Sequence, residues 1–300
     1  MTKEGRLRAT LKALFAVSVW GASFIATKVA LRDVSPVTVV WLRFAMGVAV
    51  LGSVVVARRQ LAWVPLREWG YFAVLGFLGI TFHQWLQSNG LVTARASTTA
   101  WIVTSTPVFI ALLGRLVLGE AIGWGRVVGI ATAASGVVLV VGKGDFAALA
   151  HGRLAAPGDL LILMSAPNWA VFSVLSRRGL RTHPSARMMF YVMTFGWLFT
   201  TLLFLGGPGP GGPAEIAELT LRGWAGIVFL GLFCSGLAYV FWYDALAHMP
   251  ASQVGAFLYI EPLVAVAVAG VVLGEAVALV TMLGGAMILA GVWLVNRPAR

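Results

Sequence analysis

The sequence predicts an all-α integral membrane protein: ten transmembrane helices arranged as two inverted-topology five-helix repeats. Three observations predict this. The chain is 59% apolar and only 11% charged, where a soluble domain carries roughly 25% charged residues. Apolar runs of about 20 residues, the length that crosses a hydrocarbon core, recur throughout. The chain also contains itself twice: Leu118-Gly119-Glu120-Ala121 returns as Leu273-Gly274-Glu275-Ala276, a shift of 155 positions.

The apolar runs fall at roughly 11–31, 37–57, 69–90, 95–117, 124–142, 159–178, 186–206, 222–246, 251–272 and 277–295. Strands are excluded because the runs are long, lack period-2 alternation, and only helices satisfy the backbone within a single span. Turn formers separate the runs: Ser35-Pro36, Pro65, Ala156-Pro157-Gly158 and Met249-Pro250. The Gly/Pro stretch 206–213 is expected to be a flexible loop. Cys234 is the one cysteine and lies inside an apolar run. It cannot form an internal disulfide and is expected to be a buried, inert thiol.

Laying 69–140 on 224–295 without gaps gives about 18 identities in 72 positions, well above chance. They include Trp69/Trp224, Ala96-Ser97/Ala251-Ser252, Pro107/Pro262 and Gly129/Gly284. Trp20 aligns with Trp169 where the offset drifts. The halves are read as 1–145 and 155–300, each with five spans. An odd number turns the second half over in the membrane. Such a repeat places a solute site near the midplane between the halves and makes alternating access a rocking motion.

The net charge of +11 comes from Lys and Arg spaced between apolar runs rather than gathered on one face. They read as topology signals and not as a nucleic-acid surface. Fifteen fall on one side, from Lys3, Arg6, Arg8 and Lys12 to Arg297 and Arg300. Five fall on the other: Arg32, Arg95, Lys143, Arg153 and Arg222. Both termini are therefore expected in the cytoplasm.

Trp20-Gly21-Ala22-Ser23-Phe24 in the first span, Arg43-Phe44 in the second and the Leu-Gly-Glu that closes the fourth and ninth resemble the drug/metabolite transporter superfamily, specifically its EamA branch. The resemblance covers essentially the whole chain. Within the branch the chain looks like the YddG-type exporters of aromatic and other amino acids. The resemblance implies outward transport of small organic solutes, most of all amino acids, across a bacterial inner membrane. A proton-coupled drug or organic-cation exporter is the alternative. The implied partners are a small-molecule substrate and the lipid bilayer, with no nucleic acid, no cofactor and no metal, and a monomer is expected. Enzyme chemistry finds no support: there is no metal-ligand spacing, no Cys/His pair and no phosphate loop following a strand.

Polar residues inside spans are expensive in lipid and mark cavities or partner helices. His83, Gln84 and Gln87 share a face of the third span. Trp101 in the fourth precedes Pro107. Tyr239, Trp242 and Tyr243 in the eighth and Tyr259 and Glu261 in the ninth form an aromatic and acidic set, with Tyr239 at the position equivalent to Gln84. Trp20, Asn168 and Trp169 lie near mid-depth in the first and sixth spans. The expected substrate-binding residues are Trp20, His83, Gln84, Gln87, Trp101, Asn168, Trp169, Tyr239, Tyr243, Tyr259 and Glu261, with Pro107 and Pro262 as hinges. Helix-to-helix hydrogen bonding and ordinary aromatic packing are the competing roles. Glu261, whose counterpart is Thr106, is placed to bind an ammonium or to couple a proton. Lys28 and Arg43 could meet a substrate carboxylate, but are expected rather to snorkel or pair, with Asp33 available to Lys28. Glu120 and Glu275 are expected to cap turns or pair with a loop arginine such as Arg126.

Overall fold

The computed structural model describes residues 3–118, 123–143, 156–206, 209, 211–249, 254–255 and 257–296. Among them there is no strand. α1 is Lys3–Ala30 and α2 is Pro36–Ala57. α3 covers 66–93 as Leu66–Gly76, a π-helical segment Phe77–Phe82 and His83–Thr93. α4 is broken into Ala96–Val103 and Thr106–Leu118. α5 is Trp124–Gly142, α6 Pro157–Thr182 and α7 Ser185–Gly206. α8 repeats the plan of α3: Leu221–Val228, a π-helical Phe229–Leu237, then Ala238–His248. α9 starts with the 3-10 turn Phe257–Ile260 and continues as Glu261–Leu273. α10 is Leu279–Asn296.

Six helical stretches are long and apolar enough to cross a membrane: Glu4–Ala30, Pro36–Ala57, Ala96–Leu113, Pro157–Thr182, Ser185–Gly206 and Leu221–Leu246. Val127–Gly142, Phe257–Leu273 and Leu279–Val295 are shorter apolar helices. The helix starts follow local chemistry. Pro36 and Pro157 open α2 and α6, where the missing N–H is one the first turn leaves unused. Pro107 and Pro262 occupy the same kind of position, the second residue of the pieces Thr106–Leu118 and Glu261–Leu273. Each proline thus restarts a broken helix rather than kinking a continuous one.

The described part of the Gly/Pro stretch passes through Gly211 and Gly212, at φ 147° and 130°, into the ordered 3-10 turn Pro213–Glu218. That turn caps α2. Glu215 accepts from the Ser35 backbone N–H (3.0 Å) and hydroxyl (2.7 Å) and from the Thr38 hydroxyl (2.6 Å).

Glu275 does the same for α4 from across the molecule. Its carboxylate accepts the backbone N–H groups of Ala96 (3.0 Å) and Ser97 (3.1 Å) and the Ser97 hydroxyl (2.7 Å). Arg95 donates to the Ala276 carbonyl at 2.7 Å, so the α9–α10 link clasps the start of α4. Glu120 and the side chain of Arg126 lie outside the described residues. Lys28 does not pair with Asp33: its ammonium donates to the Ala94 carbonyl, and Asp33 accepts from Thr220. Cys234 is fully buried, with its thiol 3.5 Å from the Val19 carbonyl.

Packing pairs the helices across the chain. α1 lies against α8 and α9, and α6 against α3 and α4. α2 runs along α7 and the π segment of α8. α5 and α10 meet most extensively, glycine to glycine. A Cβ on Gly136 would stand 2.5 Å from the Gly284 carbonyl oxygen, and one on Gly291 2.5 Å from that of Gly129. Pairing 129 with 291 and 136 with 284 makes the two helices antiparallel.

Substituting Gly136 or Gly291 with Ala is expected to cost about 1–3 kcal/mol by forcing the backbones apart, read as a lower thermal midpoint in detergent. Gly125→Ala, at a position with nothing within 4 Å, is the control expected to leave it unchanged.

Glu275 gives a pH prediction. Burial pushes its carboxyl up, but the bonds from Ser97 and Ala96, with Arg95 nearby, outweigh this and hold it below the ordinary range. A depressed folded value stabilises above the unfolded carboxyl value of about 4.3 and loses that contribution as pH falls through the folded value. Glu275→Gln is expected to cost about 1 kcal/mol at pH 7, as other lost caps do. The gap to the native protein should narrow as pH falls below the unfolded value and close once the folded carboxyl protonates, and a gap that stays constant throughout acidification contradicts the assignment.

Candidate functional site

The irregular segments deliver the polar residues. A π segment carries an extra residue in one turn, re-aims the side chains that follow and leaves a carbonyl without its helical partner. In α3 the residues that follow directly are His83 and Gln84; in α8 they include Tyr239. Side chains from the paired helices take up carbonyls of both segments. The Asn168 amide of α6 donates to the Leu78 carbonyl at 2.8 Å, and the Trp20 indole N–H of α1 donates to the Cys234 carbonyl at 3.1 Å.

Between these elements lies a cavity of about 190 Å³. α1 contributes Trp20, Ser23 and Phe24, α2 Arg43, and α3 His83, Gln84 and Gln87. Val103, Trp169, Tyr239, Trp242, Tyr243, Leu258 and Glu261 complete the wall. An adjoining cavity of about 150 Å³ shares Val103, Trp169, Leu258 and Glu261. It continues past Thr104, Pro107, Ile110, Tyr259 and Val292. The pair of cavities therefore runs toward the Leu118 end of α4, away from the end clasped by Glu275.

Aromatic rings form two groups. The Trp20 ring stands 5.5 Å from Tyr239 and 5.3 Å from Trp242. The Trp169 ring stands 4.7 Å from the His83 imidazole, whose Nδ1 has no hydrogen-bond partner among the described residues.

Two ionisable side chains of opposite type, Arg43 and Glu261, face the same cavity. Arg43 is 6% exposed. Its Nε donates to the Ser235 hydroxyl and its Nη1 to the Gln84 side-chain oxygen, both at 3.1 Å. Both acceptors are neutral, so the guanidinium is oriented but not neutralised. Glu261 stands at the first position of its helix, where the helix dipole favours a carboxylate. Among the described residues it makes no side-chain hydrogen bond or ion pair. Asp159 is also buried, with no hydrogen-bond partner for either oxygen among the described residues, but it lines neither of these cavities.

The structure thus gathers Trp20, His83, Gln84, Gln87, Trp169, Tyr239, Tyr243 and Glu261 around one space, with Tyr259 and Pro107 bordering the adjoining one. Three expected residues sit elsewhere. Trp101 is 2% exposed and packs on α10: a Cβ on Gly285 would stand 2.5 Å from its ring. Asn168 is spent on the Leu78 carbonyl. Pro262 is buried behind Glu261. Arg43, expected to snorkel or pair, does neither. The signal for it was depth: seven residues beyond Pro36, at 1.5 Å per residue, is about 10 Å into the span.

Comparison with known proteins agrees with this architecture. The EamA-like transporter family matches residues 7–142 and again 156–297. An uncharacterized transporter of Archaeoglobus fulgidus is 30% identical over 92% of this chain and 93% of its own. A protein named as a probable terminal-alkyne amino-acid exporter of Streptantibioticus cattleyicolor is 29% identical over 94% of this chain and 91% of its own. One named as a probable amino-acid metabolite efflux pump of Salmonella typhimurium is 25% identical over 94% of this chain and 92% of its own. A solved crystal structure superposes with a TM-score of 0.65 at 21% identity, covering 96% of this chain and 97% of that one, a likeness of fold. A multi-pass, all-helical protein with a polar cavity at the meeting of its helices, matched by one family along both halves, leads to a single conclusion: the chain belongs to the EamA-like transporter family.

Proposed function

We propose that the protein exports amino acids, aromatic ones included, across a bacterial inner membrane by alternating access. The observation that carries the reading is the central cavity, walled by aromatic rings and lined by an arginine and a glutamate that are not paired with each other. An amphipathic zwitterion complements such a space: rings receive the side chain, charges receive the head group. The relatives named as a probable terminal-alkyne amino-acid exporter and a probable amino-acid metabolite efflux pump support a substrate of this kind.

The mechanism rests on two five-helix repeats, 1–145 and 155–300, turned over relative to each other. The antiparallel glycine contact of α5 and α10 supports this, as do the π segments of α3 and α8 in equivalent positions. With both termini cytoplasmic, the Glu275 clasp lies at the outer face and the cavities lead inward. This is the conformation that loads an exporter. The breaks before Pro107 and Pro262 are the hinges in this reading, since each frees a half-helix to tilt without breaking internal hydrogen bonds.

The second reading, a proton-coupled exporter of organic cations with Glu261 as coupling acid, is favoured by the free carboxylate. Arg43 in the same cavity opposes it, because a cationic solute would face an un-neutralised guanidinium.

In liposomes, labelled phenylalanine and other amino acids are expected to exchange without a proton gradient. Gradient-driven dye transport with no amino-acid flux selects the second reading. Single cysteines at Trp124 and Leu279, equivalent under the 155-residue shift, are expected to label from opposite faces. Same-side labelling overturns the inverted repeat.

A further inference from the structure

Several acids meet basic side chains near the ends of helices. Asp244 holds Lys12 and Arg58, each at 2.8 Å. Glu68 meets His183 at 2.8 Å, and Glu275 lies 3.9 Å from Arg95. In the cavity, where pairing would relieve the largest desolvation cost, Arg43 and Glu261 stay apart.

Each of the two is held so as to present a free functional group. Arg43 reaches the cavity edge by way of Ser235 on α8 and Gln84 on α3, which fix its Nε and Nη1. Among the described residues its Nη2 makes no hydrogen bond, and the guanidinium lines the cavity. Glu261 enters from α9 and lines both cavities with a carboxylate that accepts no hydrogen bond among the described residues. A guanidinium with an open edge matches a carboxylate in geometry and charge. A carboxylate lining the same cavity matches an ammonium. Trp20, Trp169 and Trp242 line the same cavity as apolar surface.

The geometry points to a dipolar site: Arg43 receives the substrate carboxylate and Glu261 its ammonium. The substrate class is then the free zwitterionic amino acid, and neither the amine nor the acid alone completes the site. This rests on the amino-acid reading above and assigns its two poles. Amides, esters and N-acyl derivatives each lose one pole and leave a charge of the protein uncompensated, which is the costlier outcome in a desolvated site.

Counterflow of labelled phenylalanine in proteoliposomes tests the assignment, with phenylalanine, phenylethylamine and 3-phenylpropionate as competitors. In the native protein phenylalanine is expected to compete about tenfold or more better than either fragment, as hydrogen bonds to charged groups imply. Arg43→Gln should abolish its advantage over phenylethylamine, and Glu261→Gln its advantage over phenylpropionate. Arg43→Lys and Glu261→Asp, which keep the charges, should restore the ranking in part. A variant that folds and keeps the native ranking overturns the assignment, as does one that weakens all three competitors equally. For a variant that does not fold, the native protein gives the same information. With sites resolved by mass spectrometry, phenylpropionate should shield Arg43 from phenylglyoxal, and phenylethylamine should shield Glu261 from carbodiimide coupling; the reverse pattern overturns the poles. If the native protein exchanges no amino acid at all, the amino-acid reading falls. If it exchanges them and trimming either pole costs nothing, only the assignment falls.

Discussion

Hydrocarbon offers the backbone no water, so every N–H and C=O within a span must find a partner inside the protein. A continuous α-helix meets this demand and can present only a regular side-chain surface. To build a cavity the chain must leave the α-helical path while keeping its backbone satisfied. It does so at four places: the π segments of α3 and α8, the Thr104-Ser105 break in α4 and the 3-10 entry to α9. Residues that follow or border each of the four line the same space. The carbonyls of Leu78 and Cys234 are answered by Asn168 and Trp20, one from each of the helices that cross between the halves. The helix irregularities and the polar cavity have one cause.

Charge follows the same logic with the opposite sign. A free charge in a low-dielectric interior is costly, and an ion pair is the usual relief. Arg43 is oriented by two neutral side chains, and Glu261 sits at a helix start. The guanidinium is fixed in position, and among the described residues neither group is paired with an opposite charge. A site that keeps its charges oriented and uncompensated has little reorganisation left to do when a solute of complementary charge arrives.

Most of the fold was legible because the membrane imposes a length on each helix and the repeat imposes a register. The spans could be drawn from hydropathy, and the prolines and glycines that recur at a fixed shift landed where α4, α5, α9 and α10 break or touch. The polar run at His83, Gln84 and Gln87 stood out because lipid makes such residues rare. What remained hidden depended on contacts distant in sequence. Trp101 and Trp169 look alike along the chain. Gly285, on the last helix, makes a slot that takes the ring of Trp101, while Trp169 faces the space beside His83. Asn168 read as a lining residue because nothing local announces the π segment whose carbonyl it binds. Arg43 read as a snorkelling arginine because its acceptors, Gln84 and Ser235, lie 41 and 192 residues away.

The glycine contact between α5 and α10 has the form of an isologous interface. Position 129 meets 291 and 136 meets 284, and the 155-residue shift carries each member of one pair onto a member of the other. In a two-fold homodimer this reciprocity is compulsory, because one gene writes both surfaces. Here two separate stretches of one chain write them. Each surface is thus free to diverge, and a change in one glycine is met once rather than twice. Residues away from that seam have used this freedom, since Glu261 and Tyr239 stand where Thr106 and Gln84 stand in the other half. A dimer of identical subunits could not place an acid on one wall of its central cavity without placing its twin on the other.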